Sequence, residues 1–279
     1  MKTFIFLVGI LCFGFCRFSL AQDYPQRIIS LGPAITENLY ILEAQDKMIA
    51  NTVYCRTPPG KEKKEKIGTV IKVSLERIVE LKPDLVVATS LTDRKQLEAM
   101  KNLSIRVVEI SGARNFADIC SGFLELARLI GKENDALRII KQVKEEVDLI
   151  VGQIQGLPKP RVIVQIGARP LFVATQEYAV NDFVRLAGGI NLAEDLTSGL
   201  YSREEALRQN PEVIIITTMG IIGEDEERGW YKYKSLKAVK NNRVHIVDEA
   251  KLCAPTLLSF TGTLREMVEI LHPQFKKVQ

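Results

Sequence analysis

The sequence has few of the residues from which catalytic and metal sites are usually built, with two histidines and one tryptophan among 279 residues. His245 lies inside a strand-like pattern, and His272 precedes a proline near the end of the chain. Histidine is the commonest protein ligand for zinc and similar metals, so two that lie apart argue against a metal site built from side chains. Any Ser–His or Cys–His pair would depend on the same two residues, which argues against enzymes of those classes.

Phosphate-binding and nucleophile motifs are missing as well. The chain has no GxGxxG, no GxxxxGK[ST] and no GxSxG, so nucleotide binding and the common hydrolase turn lack their sequence signals. The formal net charge of +4 falls to +2 if residues 1–21 are removed, since that stretch contains Lys2, Arg17 and no acid. A value so near neutral gives no argument for nucleic acid binding.

Cysteine is also sparse. Beyond the first 21 residues the chain keeps Cys55, Cys120 and Cys253, an odd number with no CxxC pair. A disulfide framework is therefore not expected, although one pair in an oxidising compartment stays open. We expect buried free thiols.

The beginning of the chain has the pattern of a secretory signal peptide. Lys2 is followed by an apolar run over residues 4–15 and by Ser19-Leu20-Ala21, which predicts cleavage after Ala21 and export to the periplasm. Cys16 follows Phe15 rather than a small residue, so a lipid anchor is not expected. The remaining 258 residues suffice for two modest lobes or one large α/β domain.

One pattern occurs twice, 128 residues apart, over residues 74–89 and 202–217. In each copy a serine stands two before a glutamate, a proline follows that glutamate by seven, an acid follows the proline, and an apolar run ends in threonine. The serine is a good helix N-cap, and the proline ends the helix and leads into a strand. Such units are common in α/β proteins, but a match over some fifteen residues predicts two similar lobes.

A long amphipathic helix is predicted between the two copies, from Asn134 to Gln155. Its apolar residues recur at intervals of four and three, and at 1.5 Å per residue it is a rod of roughly 33 Å. We interpret it as a connector, residues 132–156, between an N-terminal lobe (22–131) and a C-terminal lobe (157–279); an ordinary surface helix is the alternative. Alternating strands and helices elsewhere predict parallel sheets covered on both faces.

The glutamates of the repeat, Glu76 and Glu204, are candidate partner-binding residues. Each stands in the first turn of its predicted helix, where an acid also complements the helix dipole, and that explanation would suffice for stability. It does not explain why equivalent acids stand on both lobes. One carboxylate per lobe predicts a paired docking site for basic residues of a two-fold partner.

Candidate ligand-binding residues lie on loops that follow strands, where ligands gather in open α/β sheets. Tyr54 and Arg56 follow one predicted strand, and Arg169 and Phe172 lie around another predicted loop. The arginines are suited to an anionic ligand, with a solvated surface charge as the alternative. A flat ligand would find further aromatic rings at Trp230 and Tyr231, beside a Gly- and acid-rich predicted loop at 219–229, unless these rings belong to the core.

Taken together, the opening Arg27–Glu37, the stretch Ser74–Thr89 and its copy Ser202–Thr217 resemble the periplasmic binding proteins of iron–siderophore, heme and vitamin B12 ABC importers. The resemblance covers nearly all of the chain beyond residue 21. It implies the α/β fold of a class III periplasmic binding protein, with two Rossmann-like lobes joined by a single long backbone helix and a ligand cleft between them. It further implies a non-enzymatic, monomeric protein without a cofactor, whose Glu76 and Glu204 dock arginines of a membrane permease.

The resemblance is less specific for the ligand. Tyr54 matches an aromatic residue of corrinoid binders, but Val70, Thr89 and Ser198 stand where the best-known one has tryptophans. Siderophore binders often use basic residues, which Arg56, Lys72, Arg169 and Lys251 provide, and a heme ligand could come from Tyr54 or Tyr178. A corrinoid, a ferric siderophore and heme therefore stay open, with a secreted two-lobed enzyme or a zinc or manganese carrier as alternatives.

Overall fold

Strands and helices alternate along the computed structural model, which describes residues 24–217 and 223–277. The expected signal peptide lies outside the described residues. The first half contains, in order, β1 (Ile28–Ser30), α1 (Pro33–Ile41), β2 (Met48–Asn51), β3 (Glu65–Lys66), α2 (Leu75–Leu81), β4 (Leu85–Thr89), α3 (Arg94–Asn102), β5 (Val107–Ile110), α4 (Phe116–Leu129) and α5 (Glu133–Gln153). The second half contains β6 (Arg161–Ala168), β7 (Leu171–Val173), α6 (Ala179–Leu186), β8 (Ile190–Asn191), α7 (Arg203–Gln209), β9 (Val213–Ile216), α8 (Gly223–Tyr231), α9 (Lys237–Lys240), β10 (Val244–Ile246), α10 (Glu249–Cys253) and α11 (Leu257–Leu271).

The strands form two separate sheets. The first has the order β3-β2-β1-β4-β5 and is parallel throughout. The second has the order β10-β9-β6-β7, with β8 beside the start of β6, and is parallel except for β7. The antiparallel β7 departs from the predicted all-parallel arrangement. Only Arg169 and Pro170 separate it from β6, which is enough for a hairpin and far too short for a parallel crossover.

A single long helix is predicted to connect the two lobes. In the chain order, α5 is the helix that follows the last strand of the first sheet and α4, and it precedes the first strand of the second sheet. Its buried residues are the predicted apolar stripe: Ala136, Ile140, Val143, Val147 and Ile150. They belong to one hydrophobic core that also contains residues of both sheets, while each sheet covers its other face with a core of its own. The two-lobed α/β architecture is therefore confirmed. The lobe limits at 131, 132–156 and 157 stay a prediction.

Three other expectations differ from the structure. The predicted loop at 219–229 is helical from Gly223 onward, because acids in its first turn complement the helix dipole and Arg228 pairs with Glu224 and Asp225. The charged run at 61–66, predicted as a solvated loop or helix face, ends in strand β3. The last helix, expected over residues 255–271, corresponds to α11, and the short α10 ahead of it is not expected from the sequence.

The lobes meet through contacts of α4 with α6 and α11. The Phe260 ring of α11 stacks on Phe183 of α6 at a centroid distance of 4.3 Å and lies 4.5 Å from Phe116 of α4. The Phe116 amide donates to the buried carboxylate of Asp182 at 2.7 Å. Helix α4 follows the carboxyl end of β5, and α11 follows β10 by way of α10, so these contacts join the two lobes.

Candidate functional site

Apolar side chains are exposed at the carboxyl edges of both sheets. On the first lobe they follow β2, β3 and β4, and on the second they surround β6 and end β10. Exposed apolar residues near the ends of strands have no core contact there, and a group of them is a candidate binding surface. The exposed apolar residues near these edges are Val53, Tyr54, Ile71 and Leu91 on the first lobe and Tyr178, Leu200 and Ile246 on the second; others, such as Leu149 of α5 and Leu258 of α11, lie on helices.

Tyr54 and Arg56 lie on the first of these loops. The Tyr54 side chain is 62% exposed, directly after β2. Arg56 is exposed two residues further on, and neither it nor Lys72 of the next loop has an ion-pair partner among the described residues. The predicted pair of an aromatic ring and a free cation is therefore available on the first lobe.

Arg169 and Phe172 lie in the β6–β7 hairpin at the edge of the second lobe. Arg169 is exposed, and no acid pairs with it in the described part of the chain. Phe172 is half-buried, with its ring edge-on to Tyr178 at 6.4 Å. Gly199 passes so close that a Cβ there would lie 2.2 Å from Phe172 Cε1. Phe172, Tyr178 and Leu200 thus form an apolar surface in the lobe that carries the unpaired Arg169.

The prediction for Trp230 is wrong in this structure because its ring is fully buried in the second-lobe core. Its Nε1–H donates to Gln165 Oε1 at 2.7 Å, and the Arg203 guanidinium lies 4.1 Å from the ring centroid. Tyr231 is half-buried against the same core and stays a prediction. In a sequence, a tryptophan beside glycines could stack on a ligand or pack in the core. Trp230 packs in the core.

Among the described residues, Lys251 on α10 is the one predicted ligand cation that has an acidic partner. Its Nζ lies 2.7 Å from Glu266 Oε2, and this hydrogen bond raises the pKa of Lys251. An ammonium already neutralised by a carboxylate has less to offer an anionic ligand than Arg56 or Arg169. Lys251 remains an untested prediction.

The two copies of the repeat have the same local structure. Ser74 accepts a hydrogen bond from the Arg77 amide, and Ser202 accepts one from the Glu205 amide. Both helices end on a left-handed residue before the proline, at Lys82 and Asn210.

The acid that follows each proline also accepts an equivalent hydrogen bond in both copies. Asp84 accepts from the Arg27 amide at 2.9 Å, next to β1, and Glu212 accepts from the Arg161 amide at 3.0 Å, the first residue of β6. Each acid thus ties its unit to the neighbouring parallel strand. The repeat is therefore a structural equivalence between the lobes.

Glu76 and Glu204 occupy the same place in α2 and α7, and both are exposed. The charged residue that follows each of them is engaged: Arg77 pairs with Glu65 and Glu80, and Glu205 pairs with Arg208. Glu76 and Glu204 themselves have no ion pair or side-chain hydrogen bond within residues 24–217 and 223–277. They are free carboxylates among neutralised neighbours, as a docking pair requires.

No three of the His, Cys, Asp and Glu side chains in the described residues come together in a way that could hold a metal ion. The zinc or manganese carrier therefore has no ligand set in that part of the molecule. Cys55 and Cys120 are buried free thiols, as expected, whereas Cys253 is free and exposed. Within the two described segments, no helix has the length and apolarity to span a bilayer.

Sequence reasoning missed Val53, Ile71, Leu91, Leu200 and Ile246 as candidate site residues. Each is a single apolar residue at or just beyond a strand end, a pattern that many buried residues share. A weak signal exists in the placement of three of them: Val53, Ile71 and Leu91 fall in turns or bends, where an apolar residue has no core to enter. Only the exposed fractions separate them from core residues.

Comparison with known proteins identifies the family of the chain and solved structures with the same fold. Residues 28–250 match the family described as periplasmic binding protein. The chain is 32% identical over 217 residues to the vitamin B12-binding protein of Pectobacterium carotovorum, covering 75% of this chain and 78% of the relative. It is 27% identical over 264 residues to an uncharacterized ABC transporter substrate-binding lipoprotein of Bacillus subtilis, covering 89% and 81%.

Two solved structures from Vibrio cholerae have the same fold. The periplasmic heme-binding protein matches with a TM-score of 0.79 at 17% identity, covering 89% of this chain and 99% of that one. The periplasmic vitamin B12-binding protein matches with a TM-score of 0.74 at 22% identity, covering 91% and 99%. Both likenesses support the two-lobed architecture.

Proposed function

The chain belongs to the periplasmic binding protein family, and from this premise we propose that it captures a metal chelate with large apolar faces and delivers it to a membrane permease. It is the substrate-binding component of an ABC importer and not an enzyme. Its location is extracytoplasmic, and we propose the periplasm, with the protein a soluble monomer.

The single observation that carries the ligand class is the exposure of apolar side chains on both carboxyl edges. Burying such surface gains roughly 25 cal/mol per Å², so a ligand with two apolar faces is held by both lobes at once. The free cations Arg56, Lys72 and Arg169 at the same edges suit carboxylate or other oxygen-rich groups on its rim. Hemes and corrinoids, which carry polar groups around a macrocycle, fit these features better than ferric siderophores do, and a corrinoid is the first candidate because a relative with 32% identity is named as a vitamin B12 binder.

For docking, we propose that Glu76 and Glu204 contact basic residues of the two permease subunits, one from each lobe. Their support is the equivalence of α2 and α7 and the absence of other partners for either carboxylate in the described residues. Two acids at equivalent sites of two similar lobes match a two-fold partner.

The cleft proposal is tested by placing charges on its apolar walls. Leu91 is 66% exposed on the first lobe and Leu200 is 59% exposed on the second. We expect the double variant Leu91→Asp, Leu200→Asp to bind cyanocobalamin or hemin at least about tenfold more weakly, because each carboxylate must be desolvated against an apolar ligand face.

The matched control is Leu149→Asp, since Leu149 is 69% exposed on α5, away from both edges. It should leave binding unchanged. Equal losses in the control and in the double variant, measured by equilibrium dialysis at equal thermal stability, would place the ligand elsewhere.

A further inference from the structure

The ammonium of Lys66, at the end of β3, makes three hydrogen bonds to one short segment of the chain. Its Nζ donates to Asn51 Oδ1 at 2.7 Å, to the Thr52 carbonyl at 3.1 Å and to the Cys55 carbonyl at 2.7 Å. A lysine has three N–H donors, so this contact set uses all of them. The three acceptors converge on a single charge.

These acceptors bracket residues 52–55, which we call the Tyr54 turn. The turn also contains backbone hydrogen bonds from the Cys55 amide to the Thr52 carbonyl and from the Val53 amide to the Gly68 carbonyl. Its side chains point both ways: Thr52 and Cys55 are buried, whereas Val53 and Tyr54 are exposed to 51% and 62%. The ammonium of Lys66, an exposed residue, therefore holds the backbone of the turn by part-buried hydrogen bonds while Val53 and Tyr54 stay exposed.

The other lysines of the same charged run do not share this arrangement. Lys64 pairs with Glu62 at 2.9 Å, and Lys61 and Lys63 are exposed with no side-chain partner among the described residues. Glu65, next to Lys66, is engaged by Arg77, so it does not compete for the Lys66 ammonium. Within the charged run, only Lys66 makes hydrogen bonds to the Tyr54 turn in the described residues.

We propose that Lys66 is a positioning residue that fixes the Tyr54 turn in the conformation that meets the ligand, an inference that rests on the proposed function. Hydrogen bonds to a charged group are stronger than neutral ones, and those at the Thr52 and Cys55 carbonyls hold the backbone on either side of Tyr54. A turn held in its bound form loses less conformational entropy when the ligand arrives. Lys66 thus contributes to affinity without touching the ligand.

The binding test combines Lys66→Met with Tyr54→Ala in a double-mutant cycle, using calorimetry with cyanocobalamin and with hemin. Lys66→Met should weaken binding about tenfold, the loss expected for a charged hydrogen-bond donor. In the Tyr54→Ala background it should have almost no further effect, because the residue that it positions is gone. Lys63→Met, which removes the same charge from the same run, should bind like the wild type.

A second measurement needs no ligand. Hydrogen exchange at the Val53 and Cys55 amides should be about tenfold faster in Lys66→Met than in Lys63→Met, with the rest of the first sheet unchanged. Unchanged exchange would overturn the inference, and so would a Lys66→Met affinity loss that is as large without Tyr54 as with it. A wild-type protein that binds neither probe would count against the proposed ligand class, and the exchange experiment would still decide the role of Lys66.

Discussion

Reversing both docking acids, Glu76→Arg with Glu204→Arg, is expected to abolish permease-dependent uptake while ligand affinity stays within about twofold of the wild type. Both carboxylates are exposed, unpaired in the described residues and carried by helices with the same caps in the two lobes. Cations in their place repel a basic partner surface at two sites at once. Like-charge contacts cost several kcal/mol, and neither residue lies among the exposed apolar side chains of the cleft edges.

The control for this prediction is Glu98→Arg with Glu125→Arg, which changes the net charge equally on exposed positions of α3 and α4. Uptake of the labelled chelate should be normal in this control and lost in the docking variant, with both proteins exported to equal levels. Transport by the docking variant at the control rate would show that the permease does not use these acids.

Glu226→Ala is expected to destabilise the protein by about 3 kcal/mol, a far larger effect than most single substitutions produce. Glu226 is buried in α8 and accepts from Arg203 Nη2 at 2.6 Å and from Gln165 Nε2 at 2.8 Å. Arg203 Nη1 is itself buried and has no hydrogen-bond partner among residues 24–217 and 223–277. Removal of Glu226 therefore leaves a poorly solvated guanidinium stacked on Trp230 with no carboxylate to balance its charge.

Two variants separate this explanation from simple loss of packing. Glu224→Ala, on the exposed face of the same helix, should cost less than about 1 kcal/mol because its pair with Arg228 is solvated. Replacing both charges, Arg203→Met with Glu226→Met, should recover part of the loss, since no unpaired charge is left buried. Urea denaturation measures all three, and a double variant that is less stable than Glu226→Ala would contradict the charge argument.

The parts of the fold that the sequence predicts are those with local causes. The serine caps, first-turn acids and prolines of the two repeats act within a few residues, and the structure has the same helix and strand at both places. The apolar stripe of α5 is likewise periodic in the sequence and buried as expected. Its ends differ from the prediction by one or two residues because helix termini depend on capping contacts.

The parts that the sequence does not predict depend on contacts between distant residues. Trp230 is buried because Gln165, 65 residues away, accepts its indole N–H and Arg203 covers its ring. Lys66 looks like any lysine of a solvated run until Asn51 and Cys55 are placed beside it. Neither partnership has a periodicity or spacing that a single sequence reveals.

The central claim is that the cleft binds one metal chelate, and titration calorimetry of the exported protein tests it most directly. Cyanocobalamin, hemin and a ferric siderophore should be titrated separately under the same conditions. We predict a one-to-one isotherm with a dissociation constant below about 1 μM for one of the three, and weak or no binding for the others. If none binds more tightly than about 0.1 mM, the proposed ligand class is wrong, although the fold and the family stand.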